Sequence, residues 1–133
     1  MYGSNKKEVY KYDNKDNNIL FDVYLPNGIL IKKTINNYEN NRISKSQEIE
    51  YDSTGKFENL LMTNYKYDAK DQLIEIKEEN SSGIYSWTNI QTFTDYDKEG
   101  NYHTKNTHSE NKTNGQVRNN QTSKFVREIE YYK

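Results

Sequence analysis

The chain has 133 residues, of which 32% are hydrophobic and 13 are Tyr, and a formal net charge of −1. The length suits one domain, and the low apolar share excludes a large dry core. Near-neutral charge argues against electrostatic nucleic-acid binding, no apolar run approaches the roughly 20 residues of a membrane helix, and a chain without cysteine has no disulfide or thiolate chemistry.

Low hydrophobicity often signals disorder, but disordered chains also carry high net charge and few aromatics. Here aromatics are 14%, so an ordered, thin sheet with tyrosines covering its surface is expected. No signal peptide is visible. Met1-Tyr2-Gly3-Ser4 implies a cytoplasmic protein if Met1 is the native start, and a surface or secreted one if a targeting segment has been removed.

Taken in order, residues 6–13 read as a first strand, and the turn Asn14 to Asn18 leads into a second at 19–25. Pro26-Asn27-Gly28 is the sharpest turn signal. A third strand follows at 29–35, and the pair 19–25 and 29–35 is the expected buried hairpin. Asn36 to Asn41 turns into 42–52, where Ile43, Ile49 and Tyr51 share one parity. After Gly55 come 57–68 and 72–79. Asn80-Ser81-Ser82-Gly83 then turns into 84–93, the longest β-prone run. A polar strand is read at 101–109, an Asn-rich polar loop near 110–120 centred on Asn114-Gly115, and a last strand at 121–132.

No 3.6-residue periodicity runs over a useful length. Short turns between successive strands imply an all-β antiparallel meander of about nine strands within a single domain, 1–133. A closed up-and-down barrel needs one apolar interior parity. Strands 42–52, 101–109 and 121–132 mix polar groups on both parities, so an open, twisted or curled sheet is the expectation.

A recurring unit organises the turns. It reads apolar-x-Tyr-Asp, two free positions, Gly or Asp, a polar residue, then an apolar one. It recurs at Tyr10 to Asp16, Ile49 to Phe57, Tyr65 to Leu73 and Thr94 to Tyr102. Asp at the head of a type I turn accepts hydrogen bonds from backbone two or more residues on. Gly or Asp three residues later suits a left-handed conformation. Asp52 to Gly55 and Asp97 to Gly100 are therefore read as hairpin turns, and Asp68 to Asp71 and Asp13 to Asp16 as less ideal ones, with positive φ expected at Gly55, Gly100 and Asp71.

The units Tyr51-Asp52-Ser53-Thr54-Gly55-Lys56-Phe57 and Tyr96-Asp97-Lys98-Glu99-Gly100-Asn101 resemble the Tyr-Asp (YD, or Rhs-type) repeats of bacterial surface and toxin-delivery proteins. Tyr65 to Leu73 is similar, with Asp71 in place of the repeat's glycine. In that family the repeats are non-catalytic β-hairpins, and long arrays coil into shells around a toxin. The irregular spacing and short length here depart from that pattern. The chain also resembles stand-alone bacterial antitoxin and immunity proteins built from comparable hairpins.

Candidate chemistry is sparse. Asp95, Asp97, Glu99 and Gly100 imitate the start of an EF-hand calcium loop. The bidentate Glu position is Asn106, however, and the repeat turn explains the same residues, so no metal or other cofactor is expected. His103 and His108 fall on opposite faces of a regular strand and read as surface residues. The pairs Glu48/Glu50, Glu78/Glu79 and Glu128/Glu130 lack the apolar setting that raises a catalytic carboxyl's pKa. Tyr85, Trp87 and Asn89 share one parity. Exposed, they form a protein-binding hot spot or sugar-stacking platform; buried, they are the thickest part of the core. The expectation is a non-enzymatic protein-binding β-sheet module of the immunity or antitoxin type, neutralising a cognate toxin. The alternatives are a structural fragment of a larger Rhs/YD-repeat shell or cell-surface protein, and a glycan-binding module.

Overall fold

A computed structural model describes residues 5–132. Nine strands follow in order: β1 Lys7–Tyr12, β2 Asn18–Tyr24, β3 Leu30–Glu39, β4 Arg42–Tyr51, β5 Phe57–Tyr67, β6 Leu73–Ser82, β7 Tyr85–Thr94, β8 Thr104–Thr113 and β9 Gln116–Val126. They form one antiparallel sheet in sequence order, with β1 and β9 as its two edges. The expected open meander is the architecture found.

Each strand contacts only the strands beside it in sequence. Among the described residues the sheet therefore has no second layer, and its faces are covered by neighbouring side chains on the same face and, at Phe93, by Tyr102 of the β7–β8 loop. Only Val23, Phe93, Asp22 and Thr104 are buried among the described residues. β3 to β8 are half-buried nearly throughout. This is how a chain so poor in aliphatic residues folds: cross-strand pairs, worth roughly 0.2–1 kcal/mol each, replace a packed interior. The hairpin expected to be buried, 19–25 with 29–35, retains only Asp22 and Val23 as buried residues, because nothing packs over either face. Asp22 is only 4% exposed and sits opposite Lys33, whose Nζ lies 3.3 Å from its carboxylate.

The Asp-led turns repeat one geometry four times. Oδ1 of each Asp accepts the amides two and four residues on: Lys15 and Asn17 onto Asp13, Thr54 and Lys56 onto Asp52, Lys70 and Gln72 onto Asp68, Glu99 and Asn101 onto Asp97, all at 2.8–3.0 Å. The fourth residue is left-handed in every case, with φ 63° at Asp16, 86° at Gly55, 64° at Asp71 and 87° at Gly100. The backbone of Leu25 to Ile29 closes in the same way without an Asp.

Two other connections are tighter than expected. β3 runs on to Glu39, and only Asn40 and Asn41, both left-handed, turn the chain. The polar stretch 110–120 is not a loop but the closed end of the β8–β9 hairpin. Asn114 and Gly115, at φ 55° and 78°, make its two-residue turn. Asn-Gly suits the turn type that requires positive φ at both central residues, so this pair reverses the chain without the surrounding polar residues leaving the sheet. As a result β9 starts five residues earlier than the 121–132 reading and ends at Val126. β8 starts at Thr104, three residues later than 101.

Tyrosine hydroxyls tie successive hairpins together at one end of the sheet. Tyr38 donates to the Asn18 carbonyl at 3.1 Å, Tyr67 to the Ile43 carbonyl at 2.9 Å, and Tyr96 to the Leu73 carbonyl. The three donors are spaced at equal intervals in the chain, one per pair of strands.

Candidate binding surface

Tyr85, Trp87 and Asn89 lie on one face of β7, as their parity requires. Tyr85 is 63% exposed, while Trp87 and Asn89 are half-buried. They are not the thickest part of a core: with no layer packed over the sheet, this face borders solvent. Residues directly opposite on neighbouring strands share a face, so the register places Asn80 and Asn111 on either side of Trp87. Ser109 lies opposite Asn89 and donates to its Oδ1 at 2.8 Å. One strand further, the same face continues through exposed Asn119 and Gln121 of β9.

The result is an indole set among uncharged amides and hydroxyls, with the Glu78 carboxylate opposite Asn89 at its border. Amides and hydroxyls both donate and accept hydrogen bonds over a wide pH range. The arrangement is suited to recognition, since an indole, amides and hydroxyls move no proton near neutral pH.

The turn residues singled out from sequence are not gathered into a site. Asp52 and Gly55 stand at one end of the sheet, while Asp68, Asp71, Asp97 and Gly100 stand at the other. Asp71 pairs with Arg42 at 2.7 Å, and the Arg42 guanidinium lies 4.3 Å from the centre of the Tyr67 ring.

Comparison with protein-family models, curated proteins and solved structures finds no match to this chain.

A second cluster escaped the sequence reading. The carboxylate of Asp97 accepts four hydrogen bonds. Two come from its own turn, one from His103 Nε2 at 2.9 Å and one from the Tyr131 hydroxyl at 2.6 Å. The phenol and imidazole bonds, in that order, hold this carboxyl far below the ordinary value by stabilising its charged form. The Tyr131 phenol is pushed up by the same bond. Asn101 Nδ2 donates to the Tyr131 hydroxyl at 2.6 Å. The Arg127 guanidinium stacks 3.8 Å from the Tyr102 ring centre, and its Nε donates to the Tyr102 carbonyl. Tyr102 in turn meets Phe93 edge-on at 4.8 Å.

The segment after β9 is thus pinned to the β7–β8 loop. Asp97, at the head of that loop's turn, was legible as a turn residue, but its long-range partners were not: Tyr131 lies 34 positions away, and no local pattern links them. A histidine held by a carboxylate is half of a nucleophile-activating pair; among the described residues, Asp97 is the one side-chain hydrogen-bond partner of His103. Asp95, the first residue of the calcium-like pattern, accepts the Thr104 hydroxyl at 2.5 Å. No group of three or more His, Asp or Glu among the described residues is arranged to hold a metal ion. His108 bonds Thr122 across the β8–β9 pair.

Proposed function

We propose that this protein is a non-enzymatic binding module that recognises another protein through its sheet, and that it belongs to the immunity or antitoxin type that blocks a cognate toxin. The observation that carries this reading is the partly buried indole of Trp87 between Asn80 and Asn111, next to exposed Tyr85. Tyr and Trp in a polar surround are the residue types that dominate protein interfaces.

The test is affinity capture from the source organism with the wild-type chain and with Trp87→Ala and Tyr85→Ala. Loss of a captured protein on either substitution, with the fold intact by circular dichroism, supports the reading. Failure to capture any protein, together with turnover of a small substrate, sinks it. Glycan binding competes for the same platform, and a sugar ligand retained only by the intact indole would replace the protein reading.

A structural role within a longer YD-type array is the second reading. The evenly spaced latches of Tyr38, Tyr67 and Tyr96 favour it, because such a device can be repeated indefinitely. A reading frame that continues with further tyrosines at the same interval would select it over the first.

A further inference from the structure

The two edges of the sheet differ in kind. β1 has six residues, three of them charged: Lys7, Glu8 and Lys11. Short, charged edges are how sheets resist unwanted pairing. β9 has eleven residues, all exposed. It is paired on one side only, with β8, so its outward N–H and C=O groups have no strand beside them. Its middle, Asn119 to Ser123, carries no charge. A long open edge of this kind is a template for strand addition, in which main-chain hydrogen bonds supply affinity and side chains supply specificity.

Charge selects the occupant. From residue 111 to residue 127 the chain has Lys112, Arg118, Lys124 and Arg127 and no carboxylate, although its overall charge is −1. Lys112 is paired with Glu110, and Arg127 is engaged by Tyr102. Arg118 and Lys124 have no acidic partner among the described residues. A second copy is a poor occupant. Pairing β9 with β9 would bring two cationic edges together, and pairing β9 with β1 would bring two lysines, Lys7 and Lys11, and a single carboxylate, Glu8, against them.

We propose that the free edge of β9 receives an extended, acidic segment of a partner protein as a tenth strand, with Arg118 and Lys124 meeting its carboxylates. This rests on the protein-binding reading above and gives it a place and a partner chemistry.

The probe is a fluorescent peptide of β9's length that alternates Thr and Val and carries two Glu residues, one placed to meet Lys124 and one to meet Arg118, the bulge residue of the β8–β9 register. Its anisotropy is titrated with the full chain at low salt. Three controls accompany it: the same peptide with Lys for Glu, a version N-methylated along both edges, and a single-stranded oligonucleotide of equal charge. Saturable binding of the acidic peptide is expected. N-methylation and the double variant Arg118→Glu/Lys124→Glu should each weaken it at least about tenfold, the variant keeping the wild-type circular dichroism spectrum. Equal binding of the N-methylated peptide, tighter binding of the oligonucleotide, or no saturable binding overturns the proposal. A protein captured equally by wild type and by Arg118→Glu/Lys124→Glu, but lost with Trp87→Ala, overturns the edge site and leaves the protein-binding reading standing.

Discussion

The Tyr131 hydroxyl donates to Oδ2 of Asp97 at 2.6 Å and fastens the segment after β9 to the loop between β7 and β8. Removing that hydroxyl leaves the sheet's own ladders untouched. Tyr131→Phe is therefore expected to keep the thermal midpoint close to wild type while speeding amide exchange at Arg127, whose N–H bonds the His103 carbonyl. Unchanged exchange at Arg127 would mean that the Arg127–Tyr102 stack alone holds the segment.

Stability should fall in acid. The carboxyls of Asp97, Asp52 and Asp13 are all held below their ordinary value. In Asp97 the main cause is the Tyr131 phenol, in Asp52 the Thr54 hydroxyl and in Asp13 the Asn17 amide. A depressed folded-state pKa means that the unfolded chain takes up the proton first. The stabilisation is complete above about pH 4 and is lost as pH falls toward the folded values. Urea midpoints measured from pH 6 to pH 2 should drop below about pH 4, and the drop should be shallower in Asp97→Asn. An identical acid slope in that variant would remove Asp97 from the account.

The latch of Tyr67 on the Ile43 carbonyl can be tested by deleting one atom. Tyr67→Phe keeps the ring beneath Arg42 and loses the hydrogen bond, so a loss of about 1 kcal/mol is expected by urea denaturation. Tyr67→Ala also loses the stacking with Arg42 and should cost more. Equal stability of Tyr67→Phe and wild type would reduce the latch to a coincidence of spacing.

Left-handed residues set the sign of two turn substitutions. Gly55, at φ 86° and placed so that a Cβ would come 3.4 Å from the Ile29 side chain, should lose about 1 kcal/mol or more as Gly55→Ala, chiefly from backbone strain. Asp16 is exposed at φ 63°, and Asp16→Gly should gain a fraction of that. Midpoint shifts at constant denaturant slope would measure both. A stabilising Gly55→Ala would contradict the turn geometry.

Among the described residues, the Asp22–Lys33 pair is the one ion pair with a partner that is almost wholly buried. Lys33→Met strands a carboxylate away from water and should cost about 3 kcal/mol, whereas Asp22→Leu/Lys33→Met together should cost less. Thermal melts of the two variants compare them directly.

The turns were legible because their chemistry is local. Asp52 and Gly55 are fixed by bonds within five residues, and the Tyr-Asp pattern with glycine three places later encodes them directly. The open meander followed from the turns. Sequence failed where polar residues lie within strands. Residues 110–120 look like a loop by composition, but the Asn114-Gly115 turn and the long pairing with β8 keep them in the sheet. It failed again for the His103–Asp97–Tyr131 cluster, whose members meet only through tertiary folding. The exposure of Tyr85 and Trp87 was undecidable from parity, because parity says which residues share a face and not whether anything covers that face.

Since every strand leans only on those beside it, cooperativity along this molecule depends on adjacency alone. Such a sheet should be pliable about axes parallel to its strands, bending without breaking any ladder. Pulled or heated, it should come apart progressively from a border inward, with intermediates that keep the remaining hairpins intact.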